Sequence, residues 1–219
     1  MVLTTLELRQ IEVKPGNCLT LHDVSWQQFE QILTEMGDDR HAHIAYYQGN
    51  LEIQMPSPEH EKAKVLIGEF IKILLDELKM EWEPYGSTTF RREEMLAGIE
   101  PDDCFYIENA RKMIGMRTLD LSVDPPPDLA IEIDVTSKTE ISAYTALGVK
   151  ELWRYADQKL QILQLQGKIY VEVKNSPTFP NLPVRELIME FLEMSRTDLA
   201  SVVRRGFRQR VQEQLLLNS

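Results

Sequence analysis

Apolar residues recur along the first quarter of the chain with two different periods. Between Ser25 and Gly37 they return every three or four positions, which predicts an amphipathic helix that begins after a capping serine and ends at a glycine. The next segment, HIAYYQGNLEIQM, alternates on both sides of a Gln48-Gly49-Asn50 turn and predicts a β-hairpin. We expect its apolar residues to face the core, and Glu52 and Gln54 to face outward.

A long amphipathic helix follows the hairpin. Ser57 and Pro58 are typical of a helix start, and acidic residues in the first turn suit the positive end of the helix dipole. The helical period continues to about Lys79 and gives a wide apolar face that suits packing across a sheet. The apolar face consists of Val65, Leu66, Phe70, Ile71, Leu74, Leu75 and Leu78.

The rest of the chain is predicted to be mainly strands, followed by helices. The predicted strands are Ser87 to Arg91, Cys104 to Ile107, Leu129 to Val135, Glu151 to Tyr155, Leu160 to Leu165 and Ile169 to Val173. The predicted helices are Thr139 to Leu147, Val184 to Met194, and a last one from about Asp198 onward. This order indicates an α+β fold with a mixed sheet flanked by helices. We expect an N-terminal extension at 1–24, a main domain at 25–195 and a basic helical tail at 196–219.

Length and charge restrict the classes of protein that remain. At 219 residues, with 43% hydrophobic and 27% charged residues, the chain has the composition of a folded globular protein. A formal net charge of -11 is the wrong sign for a protein that coats nucleic acid. We find no secretory signal pattern and no apolar run long enough to span a membrane, and the two cysteines form no CxxC pair. These observations favour a cytoplasmic protein.

Acidic residues are concentrated where strands begin or end. Asp102 follows Pro101 at the start of one predicted strand, and Glu132 and Asp134 lie within another. Alternation puts Asp128, Glu132 and Asp134 on one face of their strand. That face could simply be solvated. Alternatively, Asp102 and Glu132 could converge from adjacent strands and hold a divalent cation, as metal-assisted hydrolysis requires.

Four ordered segments resemble a known family. SPEHEKAK, EPDDCFYIENA, VDPPPDLAIEIDVTSKT and YTALGVKELWRY are similar to the Uma-type putative restriction endonucleases, which have the PD-(D/E)XK restriction-endonuclease-like fold. The resemblance covers about residues 25 to 195. It implies that Asp102 and Glu132 are metal ligands and that the ion is Mg²⁺ or Mn²⁺. Asp134 occupies the position of the motif lysine, so Lys138 is expected to supply the ammonium, and Asp134 either binds a second metal or marks an inactive site.

Several other residues have two readings. His60 and Glu61 match the family pattern and could reach the site or merely cap the long helix, and Asp128 could form a turn or assist the site. The His41-Ala42-His43 pair has no third ligand placed near it, so we do not assign it to a metal. Arg204, Arg205, Arg208 and Arg210 form the most basic run, which suits a solvated or dimer-contacting helix or a phosphate-contacting arm.

The sequence therefore predicts a Mg²⁺- or Mn²⁺-dependent endonuclease that acts on DNA, with Asp102, Glu132 and Lys138 as catalytic residues and a homodimer as the expected assembly. Two other functions stay open. One is a catalytically silent nucleic-acid-binding or regulatory domain on the same fold, and the other is a homodimeric interaction protein.

Overall fold

The computed structural model describes residues 10–37, 41–133 and 138–217, without the side chains of residues 138 and 139. The strands are β1 (Cys18–Leu21), β2 (His43–Tyr47), β3 (Asn50–Gln54), β4 (Glu83–Pro84), β5 (Phe90–Arg92), β6 (Ala97–Ile99), β7 (Asp103–Tyr106), β8 (Leu129–Ile133), β9 (Glu151–Ala156), β10 (Lys159–Gln166) and β11 (Ile169–Glu172). The helices are α1 (Trp26–Met36), α2 (Pro58–Glu77), α3 (Ala110–Met113), α4 (Lys138–Leu147), α5 (Val184–Met194) and α6 (Ala200–Leu217).

The strands form two sheets. The first has the order β1-β3-β2-β6-β5, and every neighbouring pair in it is antiparallel. The second has the order β11-β10-β9-β8-β7-β4 and is mixed, because β8 and β9 run parallel while the other pairs are antiparallel. The predicted α+β class with a mixed sheet is confirmed, although the strands are divided between two sheets.

One face of the second sheet is covered by α2, α5 and α6. Ile131 and Ile133 of β8 and Trp153 of β9 are buried in this core. Phe207 of α6 stacks on Phe70 of α2, with ring centroids 4.3 Å apart. The C-terminal helix is therefore packed into the same hydrophobic core as the long helix.

The first sheet packs α1 on one face and α4 on the other. Phe29 of α1 stacks on Tyr46 of β2, with ring centroids 4.5 Å apart, and Ser25 begins α1 with a capping box. On the opposite face, α4 packs against Ala45 of the first sheet and also against Ala130 of the second. Helix α4 therefore lies where the two sheets meet, and the hydroxyl of its Tyr144 donates a hydrogen bond to Glu132 near the end of β8.

The predicted helices agree with the observed ones to within two residues at each end. Three short strands, β1, β4 and β6, were not predicted. Val65 was expected on the apolar face of α2, which is wrong, because its side chain is 58% exposed. Among the described residues no helix is both long and apolar enough to cross a membrane. The division into an extension, a domain and a tail stays a prediction.

Candidate functional site

Asp102 and Glu132 meet at the edge where β7 begins and β8 ends. The two strands are antiparallel, and the Asp102 N–H donates to the carbonyl oxygen of Ile131 at 3.1 Å, so Asp102 lies beside the last residues of β8. Both acids are buried, with 1% and 4% of their surface exposed, and their carboxyl groups are within hydrogen-bonding contact. The structure therefore brings together the two acids that the sequence proposed as metal ligands. The alternative of a solvated acidic face is wrong for Glu132.

The Asp102 carboxylate is held by groups from three separate elements. The Ile133 N–H of β8 donates to Oδ2 at 2.7 Å. Nε2 of His60, in the first turn of α2, lies 3.1 Å from the same oxygen, and Nδ1 of His43, at the start of β2, lies 3.0 Å from Oδ1. His60 was expected as an accessory residue, but sequence reasoning did not assign His43 to this site.

The environment gives the two carboxyl groups opposite protonation preferences. Burial would raise the pKa of Asp102, but the contacts with His43 and His60 outweigh it and lower that pKa below its usual range. Burial, together with the charges of Asp102 and Glu140, raises the pKa of Glu132 well above its usual range, although the Tyr144 hydroxyl donates to Oε1 of Glu132. The pair therefore holds a proton on Glu132 and keeps Asp102 ionised.

The charge of Glu140 acts on this pair and that of Glu52 acts on Glu140, and sequence reasoning assigned neither acid to the site. Glu52 of β3 lies opposite Ala45 of β2 on the hairpin face that α4 covers, so the expectation that Glu52 faces outward is wrong. Glu140 is in the first turn of α4 and is also buried. Burial and the charges of Glu52 and Asp102 raise the pKa of Glu140 to about 8. We call Glu52, Asp102, Glu132 and Glu140 the acidic cluster.

The remaining predicted residues have different positions. Glu61 is 47% exposed, with Oε1 3.6 Å from Nδ1 of His60, so it lies at the rim of the cluster. Asp128 is four residues from Glu132 along β8, about 13 Å at the usual strand rise. Asp134 lies outside the described residues, and Lys138 is the first residue of α4 with its side chain outside them.

Asp128 has a structural role at its own end of the strand. Its Oδ2 accepts hydrogen bonds from the N–H groups of Ile107 and Glu108, at 2.8 and 2.9 Å, and Lys150 Nζ lies 3.4 Å from Oδ1. These contacts fasten the loop before α3 to the start of β8. The structure therefore favours the turn-forming reading of Asp128.

The donor set fits a hard divalent cation that keeps most of its water. Mg²⁺ takes oxygen ligands, commonly one or two carboxylates with water completing the shell. Asp102 and Glu132 are two such carboxyl groups. The pair holds one proton, and a bound cation would replace the positive charge of that proton. In residues 10–37, 41–133 and 138–217, no three or more His, Cys, Asp or Glu side chains are arranged around one ion position.

Three of the four arginines in the basic run of α6 form ion pairs with acids of neighbouring helices. Arg204 Nη2 lies 2.8 Å from Oε2 of Glu69, and Arg208 forms an ion pair with Glu77, so both bind acids of α2. Arg210 Nη2 lies 3.2 Å from Oε1 of an acid on α5. These pairs tie α6 to its neighbours, and we assign none of the three arginines to the site.

Comparison with known proteins gives one family match. A family model described as "Uma2: Putative restriction endonuclease" matches residues 26–195, a range that contains the whole acidic cluster. Among solved structures, the chain is similar to a putative nuclease from Anabaena variabilis, with 14% identity, 84% of this chain and 99% of that chain covered, and a TM-score of 0.46. That similarity is too distant to carry an argument about chemistry. No curated protein matches the chain.

Proposed function

This chain belongs to the Uma2 family of putative restriction endonucleases, and from that membership and the Asp102–Glu132 contact we propose that it is a metal-dependent endonuclease that hydrolyses phosphodiester bonds in DNA. The contact between the two acids is the observation that carries the proposal. Two carboxyl groups from neighbouring strands are buried against each other, an arrangement that is costly unless positive charge is supplied.

The proposed cofactor is Mg²⁺ or Mn²⁺, with Asp102 and Glu132 as its protein ligands. When bound, such an ion polarises a phosphoryl oxygen and lowers the pKa of a bound water. Asp102 is already ionised and fixed in place by His60, His43 and the Ile133 N–H. Glu132 is oriented by the Tyr144 hydroxyl and would ligate the ion as a carboxylate, with its proton released to water.

Helix α4 carries the proposed third catalytic group. Lys138 begins this helix, two residues before Glu140 and six before Tyr144, whose side chains both reach the acidic cluster. We assign to its ammonium the task of stabilising negative charge on the phosphate. This assignment rests on the position of Lys138 in the chain and on the family resemblance.

A protein with a net negative charge can act on DNA if its binding to DNA depends on the divalent ion. A net charge of -11 opposes DNA binding through bulk charge. A cation at the acidic cluster would reverse the local charge where a phosphate must approach. We therefore expect DNA binding to be weak in EDTA and stronger with divalent metal.

Cleavage of supercoiled plasmid tests the proposal. Wild type, Glu132→Gln and the matched control Glu186→Gln are compared in Mg²⁺, Mn²⁺ and EDTA; Glu186 is exposed on α5. We expect wild type and the control to cleave only with metal, and Glu132→Gln to lose on the order of 100-fold or more in rate, as when a group that stabilises the transition state is removed.

Two results would refute it. Cleavage that persists in EDTA, or that is the same in Glu132→Gln as in wild type, would place the activity elsewhere. Absence of cleavage by wild type with either metal would instead support a catalytically silent nucleic-acid-binding domain. Circular dichroism of each variant checks that the fold is retained.

A further inference from the structure

Arg154 is the neighbour of Glu132 in the second sheet. Strands β8 and β9 run parallel, and Glu132 and Arg154 are direct partners in their register. Partner residues of neighbouring strands project from the same face of a sheet, and the strands are about 4.8 Å apart. Asp102 lies on the β7 side of Glu132, and Arg154 lies on the β9 side. The sheet therefore places an arginine beside the two proposed metal ligands.

The side chain of Arg154 is on the face of the sheet that α4 covers. Trp153 and Tyr155, the residues before and after it, pack into the core on the other face. Leu152 is buried with residues of α4, and Glu132 accepts a hydrogen bond from Tyr144 of the same helix. Arg154 itself is only half-buried, so part of its side chain can be reached from solvent.

Polar side chains of β10 and β11 hold the guanidinium. Nη1 of Arg154 donates to Oε1 of Gln161, its register partner on β10, at 3.4 Å. The amide nitrogen of Gln161 donates in turn to Oε2 of Glu172 at 3.0 Å, so the glutamine presents its carbonyl oxygen to the arginine. A guanidinium has five N–H donors, so it can keep this bond and bind other groups as well. The charge of Arg154 also acts on Glu140 and partly offsets the rise in the pKa of that carboxyl group.

We propose that Arg154 binds a phosphate of the DNA backbone beside the metal position at Asp102 and Glu132. The inference rests on the proposed function, because it names a residue that positions the substrate of that same site. A guanidinium is always ionised and can donate two parallel N–H bonds to one phosphate. A place one strand away from Glu132 suits this task, because a fixed positive group there opposes the charge of a phosphate that approaches the metal position.

A purely structural role is the alternative. An arginine beside buried acids could serve only to offset their mutual repulsion. Its removal would then disturb the site, and metal binding and DNA binding would weaken together. If Arg154 instead binds phosphate, its removal should weaken DNA binding alone, because the loss of a neighbouring positive charge favours a bound cation.

DNA binding by Arg154→Met tests the assignment. Anisotropy of a short fluorescein-labelled duplex is measured at one fixed concentration of CaCl₂ and at NaCl concentrations from about 50 to 200 mM. Each phosphate contact adds about 0.9 to the steepness with which log K falls with log salt. Arg154→Met should therefore reduce that slope by about 0.9 and weaken binding on the order of tenfold. Binding of Mn²⁺, followed by electron paramagnetic resonance, should be as tight as in wild type or tighter.

Arg111→Met is the matched control. It also removes one positive charge, from a side chain that is 79% exposed and paired with Glu81. Arg111 is in α3, at the end of the second sheet where Asp128 holds the preceding loop, and not at the end that carries Glu132. Its DNA affinity and salt slope should match those of wild type.

A second variant guards against an effect of folding. Arg154→Lys keeps the charge but loses the paired N–H donors, so it should keep the salt slope and lose DNA affinity on the order of tenfold. Each variant is accepted only if its circular dichroism spectrum matches that of wild type. If Arg154→Met does not fold, Arg154→Lys decides, and an affinity equal to that of wild type would overturn the inference.

The outcomes separate this inference from the proposed function. Metal-dependent cleavage by wild type, with an unchanged salt slope in Arg154→Met, overturns the phosphate contact and leaves the proposed endonuclease standing. A reduced slope in a protein that binds DNA but does not cleave plasmid supports the contact while the proposed function fails. Loss of Mn²⁺ binding in step with DNA binding in Arg154→Met assigns the residue a structural role and overturns the inference. No DNA binding by wild type with Ca²⁺, Mg²⁺ or Mn²⁺ overturns both.

Discussion

Replacing Glu140 with glutamine should stabilise the metal-free protein, and the gain should grow as the pH rises. Burial and two neighbouring acids raise the pKa of Glu140 from 4.5 to about 8, so the folded chain keeps a proton there that the unfolded chain releases. Between these two pKa values the folded state binds more protons than the unfolded state. Its stability therefore falls as pH rises through this window. Glutamine resembles the protonated acid and removes that dependence.

The size of this change in the free energy of unfolding follows from the difference between the two pKa values of Glu140. One pKa unit corresponds to about 1.4 kcal/mol, so the free energy of unfolding should fall by about 3 kcal/mol from this one group between pH 5 and pH 8. Wild type loses that stability, whereas Glu140→Gln does not. The two proteins should thus differ by less than about 1 kcal/mol at pH 5 and by about 4 kcal/mol at pH 8.

Urea unfolding in EDTA, followed by circular dichroism at pH 5, 6, 7 and 8, measures this difference. Glu186→Gln is the matched control, because the same substitution on exposed α5 should leave the pH dependence of wild type unchanged. A difference between Glu140→Gln and wild type that is constant with pH, or largest at pH 5, would show that Glu140 is ionised in the folded protein.

Three further substitutions probe the surroundings of the site. Gly98→Ala should lower the free energy of unfolding by about 1–3 kcal/mol in urea, because its Cβ would lie 2.7 Å from the ring of Phe29; no loss would mean that the ring can move aside. Phe207→Ala should cost about 3–5 kcal/mol by thermal unfolding, since the fully buried ring stacks on Phe70, and a loss below about 1 kcal/mol would contradict the packing of α6 into the core. Asp128→Ala should cost about 1–3 kcal/mol by leaving N–H donors of the loop before α3 unpaired, with no change in Mn²⁺ binding; weakened binding would tie Asp128 to the metal site.

The helices could be predicted because their signals are local. Ser25 caps α1 through its side chain and Ser57 caps α2 in the same way, and both residues are recognisable in the sequence. The short strands β4 and β6 contain only two and three residues, too few for alternation to be visible. Their position depends on pairing with longer strands, which is a property of the whole fold.

The candidate site was predictable in part, for a similar reason. Asp102 and Glu132 stand out because they are acids at the ends of predicted strands. For Glu52, alternation correctly put the side chain on the face of β3 opposite to that of Leu51. Nothing local in the sequence shows that α4 covers this second face. His43 reaches Asp102 across a sequence separation that no periodicity can detect. A shared polar face of His43 and Glu52 on the predicted hairpin was the available signal. The catalytic and metal roles stay predictions.

The hydrogen bond from the Ile133 N–H to Asp102 has a consequence for amide hydrogen exchange. This amide is buried, and its acceptor is fixed by His60 of α2 and His43 of the hairpin. For the Ile133 proton to exchange with solvent, β8 must separate from a carboxylate that both other elements hold in place. Deuterium uptake at this single position therefore reports how often β8 separates from the carboxylate at which the two sheets and the start of the long helix meet.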